Sequence, residues 1–164
     1  MKQLALVAAA ITAATIGLSA SPASASTGTN VVQGSINLPV AVTLSDGVTV
    51  HDQSLCTVYL LSTWNTPNYY AAAKVVNSAT STYTASGWTI GCFGWLERST
   101  NGGASWDVIS GVHDESNGQS VQTYNYWDGT GYLARACGYQ YLYFNNGFGD
   151  VGAGDGPTYC TNSW

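Results

Sequence analysis

The stretch WTIGCFGWLERSTNGGASWDVISGVH, Trp88 to His113, decides the fold class. It reads as strand, tight turn, strand: β-forming residues from Trp88 to Arg98, then Asn101-Gly102-Gly103, then a second run from Ser105 to His113. Asn tolerates a left-handed backbone and Gly adopts positive φ without a Cβ clash, which is what a tight hairpin needs. Ser99 and Ser105 can bond back to the turn backbone, and Trp106 can cover one face with its indole N–H at the rim. Ser99, Asn101, Gly103 and Trp106 are therefore expected to be structural, building a hairpin whose role is stability.

Working outward, the chain after the hairpin repeats the same grammar. A polar loop at Glu115 to Gln119 precedes a strand at Val121 to Trp127, and the Asp128-Gly129-Thr130-Gly131 turn leads into Tyr132 to Phe144, the longest strand candidate. The glycine-rich Asn145 to Pro157 reads as a loop. Before the hairpin, Val40, Val42 and Leu44 alternate, Asp46-Gly47 marks a turn, and Val48 and Val50 resume the alternation, so residues 39 to 51 form a second hairpin. Leu55 to Trp64 is a buried strand. Thr66-Pro67 is expected to open one short helix running through Ala73 and Val76, with Pro at its first position. Short strands separated by Gly-rich turns predict an all-β fold, an antiparallel β-sandwich or small barrel, disulfide-bonded, with that one helix.

Residues 1 to 25 read as a signal peptide: Lys2, an apolar run from Leu4 to Leu18, and the small-x-small site Ala23-Ser24-Ala25. Export is the expectation, with the mature chain starting at Ser26 and no membrane association after cleavage. Residues 26 to 38 form an extended N-terminal segment and 39 to 164 the β-sandwich domain. After the leader the only cations are Lys74, Arg98 and Arg135 against nine acids, so no cationic stripe exists to displace counterions and nucleic acid is excluded as a partner. Cys56, Cys92, Cys137 and Cys160 in an exported chain imply two disulfides. Of three pairings we favour Cys56 with Cys92, tying the early strands to the middle, and Cys137 with Cys160, pinning the segment after the glycine loop. Zinc is disfavoured, because no two cysteines have C-x₂₋₄-C spacing and both His lie far off. No metal or cofactor is expected.

Residues with catalytic potential do not assemble into a signature. His51-Asp52 and His113-Asp114-Glu115 place base and carboxylate side by side, but neighbours on a strand point to opposite faces. No G-x-S-x-G elbow singles out a serine. Glu97, Asp107, Glu115 and Asp128 offer glycosidase acids with no spacing that selects two of them, and Asp150 and Asp155 lack the D-x-D-x-D-G ladder of a calcium loop. The conspicuous feature is aromatic: six Trp and eleven Tyr, the residues of core packing, interface anchors and sugar platforms. Tyr124, Tyr126, Tyr139, Tyr141 and Tyr143 fall on alternate positions, as for one ring-bearing sheet face.

Two resemblances rest on these residues. Ser99, Asn101, Gly103, Ser105 and Trp106 have the form S-x-N-x-G-x-S-W, which resembles the Asp-box of sialidase-type propellers with Asn101 in place of the usual Asp; that resemblance implies a hairpin and no activity, and a propeller would need several such units. The blocks CFGWLERSTNGGASWDVISGVH (Cys92 to His113) and YWDGTGYLARAC (Tyr126 to Cys137) resemble small secreted proteins of filamentous actinobacteria, among them the adaptor subunits of umbrella toxin particles. That resemblance covers about the last half of the chain after the leader. It implies a non-enzymatic subunit joining a lectin-like subunit to the repeat-bearing stalk of a large antibacterial toxin.

The expected function is thus a secreted, non-enzymatic protein-binding module, an adaptor to another secreted subunit. Carbohydrate binding is the first alternative and a small secreted hydrolase the second. For partner contacts the expectation falls on Val31, Val32, Ile36 and Leu38, carried on an uncharged segment that leaves the domain as an arm and adds as a strand to the partner, and on Tyr124, Tyr126 and Tyr141.

Overall fold

The computed structural model describes residues 29–39, 41–43, 49–51, 54–65, 68–79, 88–111, 113–115, 118–145 and 150–164. Two antiparallel sheets face each other. The first has the order β1 (Asn30–Leu38), β4 (Cys56–Asn65), β5 (Asn68–Asn77) and β10 (Tyr126–Trp127), with β9 (Ser120–Gln122) also on β5. The second has the order β12 (Asp150–Asp155), β11 (Leu133–Asn145), β6 (Trp88–Ser99) and β7 (Asp107–Val108), with β13 (Tyr159–Cys160) on β11 and β8 (His113–Glu115) on β6. A small hairpin of β2 (Ala41–Thr43) and β3 (Thr49–His51) stands apart, as the alternation of residues 39 to 51 implies; its Asp46-Gly47 turn lies outside the described residues.

The core is built from alternate residues of the two inner faces: Val58, Leu60, Ala71, Ala73 and Val75 from the first sheet against Ile90, Cys92, Leu96, Ala134 and Ala136 from the second. The side chains are small, so the layers approach closely, and the Cys56–Cys92 disulfide crosses from β4 to β6 within this layer. Cys137 pairs with Cys160 between neighbouring strands β11 and β13. Both favoured pairings are present.

Several expectations are corrected. The short helix expected from Thr66-Pro67 through Val76 is strand from Asn68 onward, residues 66 and 67 lying outside the described residues: β5 pairs with β4 over ten residues, from Asn65↔Asn68 to Cys56↔Asn77. Helix propensity in Ala71-Ala72-Ala73 yields to this ladder, and Ala71, Ala73, Val75 and Asn77 are buried at a period of two. The N-terminal segment is not an arm. β1 pairs with β4 from Asn30↔Thr63 to Leu38↔Cys56, and Leu38 is fully buried in the core with Ile36 packed against it, so the Leu38 side chain is spent on the core and residues 30–38 belong to the sandwich. The glycine-rich loop contains β12, paired with β11.

Two predicted strands are broken in a common way. Between β7 and β8 the Ser110 hydroxyl accepts the N–H of Leu96 at 2.8 Å, in place of a partner-strand carbonyl. Between β9 and β10 the Thr123 hydroxyl accepts the N–H of Ala73 at 3.0 Å, while the Thr123 N–H donates to the Ala73 carbonyl. The edge opposite β5 thus continues through a kink that throws Tyr124 outward. For the same reason the five tyrosines do not share one face: Tyr126 lies on β10 of the first sheet, Tyr139 and Tyr141 on β11 of the second. Tyr124 stands exposed between strands, and Tyr139 stacks on Phe93 at 4.8 Å.

Candidate functional site

The Asn-Gly-Gly hairpin is built as its residues predict, and its polar groups are consumed internally. The buried Ser99 hydroxyl accepts from the Gly103 N–H at 2.8 Å and the Asn101 N–H at 3.3 Å. It donates to Asn101 Oδ1, which also accepts the Ser105 N–H, while Asn101 Nδ2 donates to the Ser105 hydroxyl. Gly102 and Gly103 have φ of 69° and 91°. Trp106 is capped by the Arg135 guanidinium at 4.2 Å from its ring centre. This corner is a structural turn.

Arg135 also clamps Glu97, by Nε at 2.7 Å and Nη2 at 2.6 Å to Oε2, while Trp95 Nε1 donates to Glu97 Oε1 at 2.8 Å. Both carboxylate oxygens of this glycosidase candidate are occupied. Glu97, Cys137 and Cys160 lie together, but the two sulfurs are bonded to each other and ligate nothing. Asp107 is exposed on β7. The side chains of His51, His113, Glu115, Tyr143, Asp150 and Asp155 lie outside the described residues.

The site that sequence reading missed lies at one end of the sandwich. Along β4 the inner face runs Val58, Leu60, Ser62, Trp64, and along β5 it runs Val75, Ala73, Ala71, Tyr69; the last pair, Trp64 and Tyr69, projects past the core and is exposed. They are register partners, stacked at 6.3 Å and 15°. Tyr69 meets the Trp164 ring edge-on at 6.2 Å, and Trp164 is pinned because its N–H and C=O both bond Ala134 of β11 at 3.0 Å.

Beside these rings the turn after β10 folds over. The Asp128 N–H donates to the Tyr69 carbonyl at 2.9 Å, and Tyr132 N–H to the Gly129 carbonyl at 3.2 Å. Trp127 lies against Gly129 so closely that a Cβ there would sit 2.1 Å from its Cζ2; only glycine admits this packing. Trp127 in turn meets Tyr132 edge-on at 5.2 Å. Arg98 spans the same turn, donating from Nη1 to the Trp127 carbonyl at 3.0 Å and lying 4.5 Å over the Tyr132 ring.

These elements enclose an open cavity of about 280 Å³ lined by Tyr69, Asp128, Gly129, Thr130, Gly131, Tyr132 and Trp164. Asp128 is only 7 % exposed, yet its Oδ1 has no hydrogen-bond partner. Burial raises its pKa from 3.8 to about 6, with the Arg98 charge pulling the other way. The D-G-T-G signature announced a turn, and nothing local in it announced a desolvated carboxylate in a cavity lined by aromatic rings from two other segments as well as its own turn.

Of the partner-contact candidates, Val31 and Val32 are exposed on β1 and Tyr124 is exposed between β9 and β10, whereas Ile36 and Tyr126 pack against the core. Tyr141 sits half-buried on β11, remote in chain order and sheet from the valines. Next to Val31, Asn30 Nδ2 donates to Gln122 Oε1 at 2.9 Å, which ties the start of β1 to β9 ahead of Tyr124. Comparison with family models, curated proteins and solved structures finds no match to this chain.

Proposed function

We propose that the chain is a secreted, non-enzymatic binding module that acts as an adaptor by attaching to another secreted protein subunit, as in an extracellular toxin-type assembly. The observation that carries this reading is the outer edge of β1. A sheet edge offers unpaired backbone groups, and natural edges are guarded by charge, proline, bulges or brevity. β1 is nine residues long and carries no charge or proline, and its register shifts between Val32 and Gly34; among the described residues no second strand pairs with its outer side. Val31 and Val32 are exposed at 56 % and 55 % beside that edge. Strand addition there gives a partner main-chain hydrogen bonds and two aliphatic contacts, which suits a chain in which only 8% of residues are charged. The disulfides and the leader-like N-terminus support export.

The test is native purification from culture fluid with Val32→Lys beside the unchanged protein. Wild type is expected to co-purify with a stoichiometric second subunit. The variant, whose added charge guards the edge, is expected to lose that subunit while its melting temperature holds. A wild-type protein that runs as a lone monomer overturns the adaptor reading.

A further inference from the structure

We propose that the aromatic end of the sandwich is a saccharide-binding site, in which a pyranose ring lies with its C–H face on Trp164 and its edge against Tyr69, and donates a hydroxyl hydrogen bond to the Asp128 carboxyl group. This site is at the β4–β5 pair and the turn after β10, with β4 standing between its Tyr69 and the β1 edge used above.

Three observations converge. The first is exposure: Trp64 and Tyr69 continue an inner face out of the core, Trp64 at 63 % exposed, and Trp164 joins them, so apolar rings stand in solvent with no core to fill. Amphipathic rings of this kind are suited to a ligand with one apolar and one polar side. The second is the orphaned oxygen. A carboxylate nine-tenths buried without a partner for Oδ1 is costly, and a ligand donor in the cavity that Asp128 lines removes that cost once the carboxyl turns Oδ1 toward it. The third is the charge already present. Arg98 lies across the neighbouring Tyr132 ring and attracts Asp128, so a cationic ligand meets repulsion, an anion meets Asp128, and a neutral molecule rich in hydroxyl donors meets neither. The cavity volume of about 280 Å³ accommodates one sugar ring, its glycine-containing rim at Gly129 and Gly131 leaves the approach open, and Thr130 supplies a further hydroxyl.

The experiment uses the full secreted protein and follows indole fluorescence and calorimetric heat on titration with soluble tetrasaccharides of β-glucose, β-N-acetylglucosamine and α-mannose, and with lactose. At least one is expected to bind, with Trp164→Ala and Asp128→Asn each weakening it by about tenfold or more. Val32→Lys should leave sugar affinity within twofold. That result separates failure of this site from failure of the adaptor reading. Trp164 is exposed and Asp128→Asn keeps the side-chain shape, so both variants are expected to fold, with far-ultraviolet and near-ultraviolet dichroism as the check. A second arm distinguishes the source of the sugar by comparing retention on insoluble chitin and cellulose with retention on an N-glycosylated protein before and after deglycosylation. Absence of binding to all four soluble sugars, or affinity that both variants leave within twofold, overturns the proposal.

Discussion

Asp128 is a residue whose chemistry depends on everything around it. Its pKa of about 6 in the folded protein exceeds the ordinary 3.8, chiefly through burial. Between those values the folded state holds a proton that the unfolded state has released, so this group favours folding at low pH, and the advantage is lost as pH rises through about 6. At neutral pH the ionised carboxylate costs stability, on the order of 1 kcal/mol once solvent reaching the open cavity is allowed for. Asp128→Asn is therefore expected to raise the melting temperature at pH 7.5 by roughly 2–4 °C, with the difference closing by pH 4. A variant that is equally destabilised at both values would show that the carboxylate has another partner. The contrast with Ser99, Asn101 and Gly103 explains what the sequence reveals at this scale. Their hydrogen bonds close within four residues of chain, and the motif spelled them out. Asp128 shares its cavity with Tyr69, Trp164 and Tyr132, which arrive from β5, from beyond β13 and from the far side of its own turn, and no spacing in the sequence encodes that meeting.

Strands were legible where β-forming residues ran on unbroken, as in β4 and β6, and obscured where small residues or hydroxyls replaced the usual signal. In β5 three consecutive alanines hide the period of two, and pairing with β4 decides the matter. At Ser110 and Thr123 a side-chain oxygen takes the place of a backbone acceptor. The strand then breaks while the ladder across it persists, a substitution that residue type alone does not announce. β1 shows the same divide within one element. Its far end is core, through Leu38 and Ile36, and its near end is surface, through Val31 and Val32. Leu38→Ala is expected to cost roughly 2–4 kcal/mol because it opens a hole against both sheets, whereas Val32→Ala should stay within about 0.5 kcal/mol. Urea melts of the two variants measure this directly, and equal small losses would mean that β1 is not part of the sandwich.

For the whole molecule, the two disulfides have similar entropic worth and different jobs. Loops of 36 and 23 residues separate the paired cysteines, and chain entropy assigns each bridge about 3–4 kcal/mol. Cys56–Cys92 joins the two sheets through the core, so replacing both cysteines with Ala removes a cross-layer tie and also loosens the packing around Leu60 and Ile90. Cys137–Cys160 holds a short strand against β11, and the residues beyond that strand are fastened by few bonds: Thr161 to Ala136 through both backbone and hydroxyl, and Trp164 to Ala134. Removing this second bridge is expected to leave a cooperative sandwich while the segment from Tyr159 to Trp164 detaches. Amide exchange at Ala134, Ala136 and Trp164 should then accelerate by at least about tenfold relative to exchange at Val58 and Leu60, since local opening replaces global unfolding as the route. Because Trp164 is one wall of the Asp128 cavity, sugar affinity should fall along with that protection. The first double replacement should instead lower the melting temperature with little change in affinity at temperatures where the chain remains folded. If the second replacement accelerates exchange uniformly through both sheets, the bridge belongs to the global fold, and the cavity wall is not a separately fastened element.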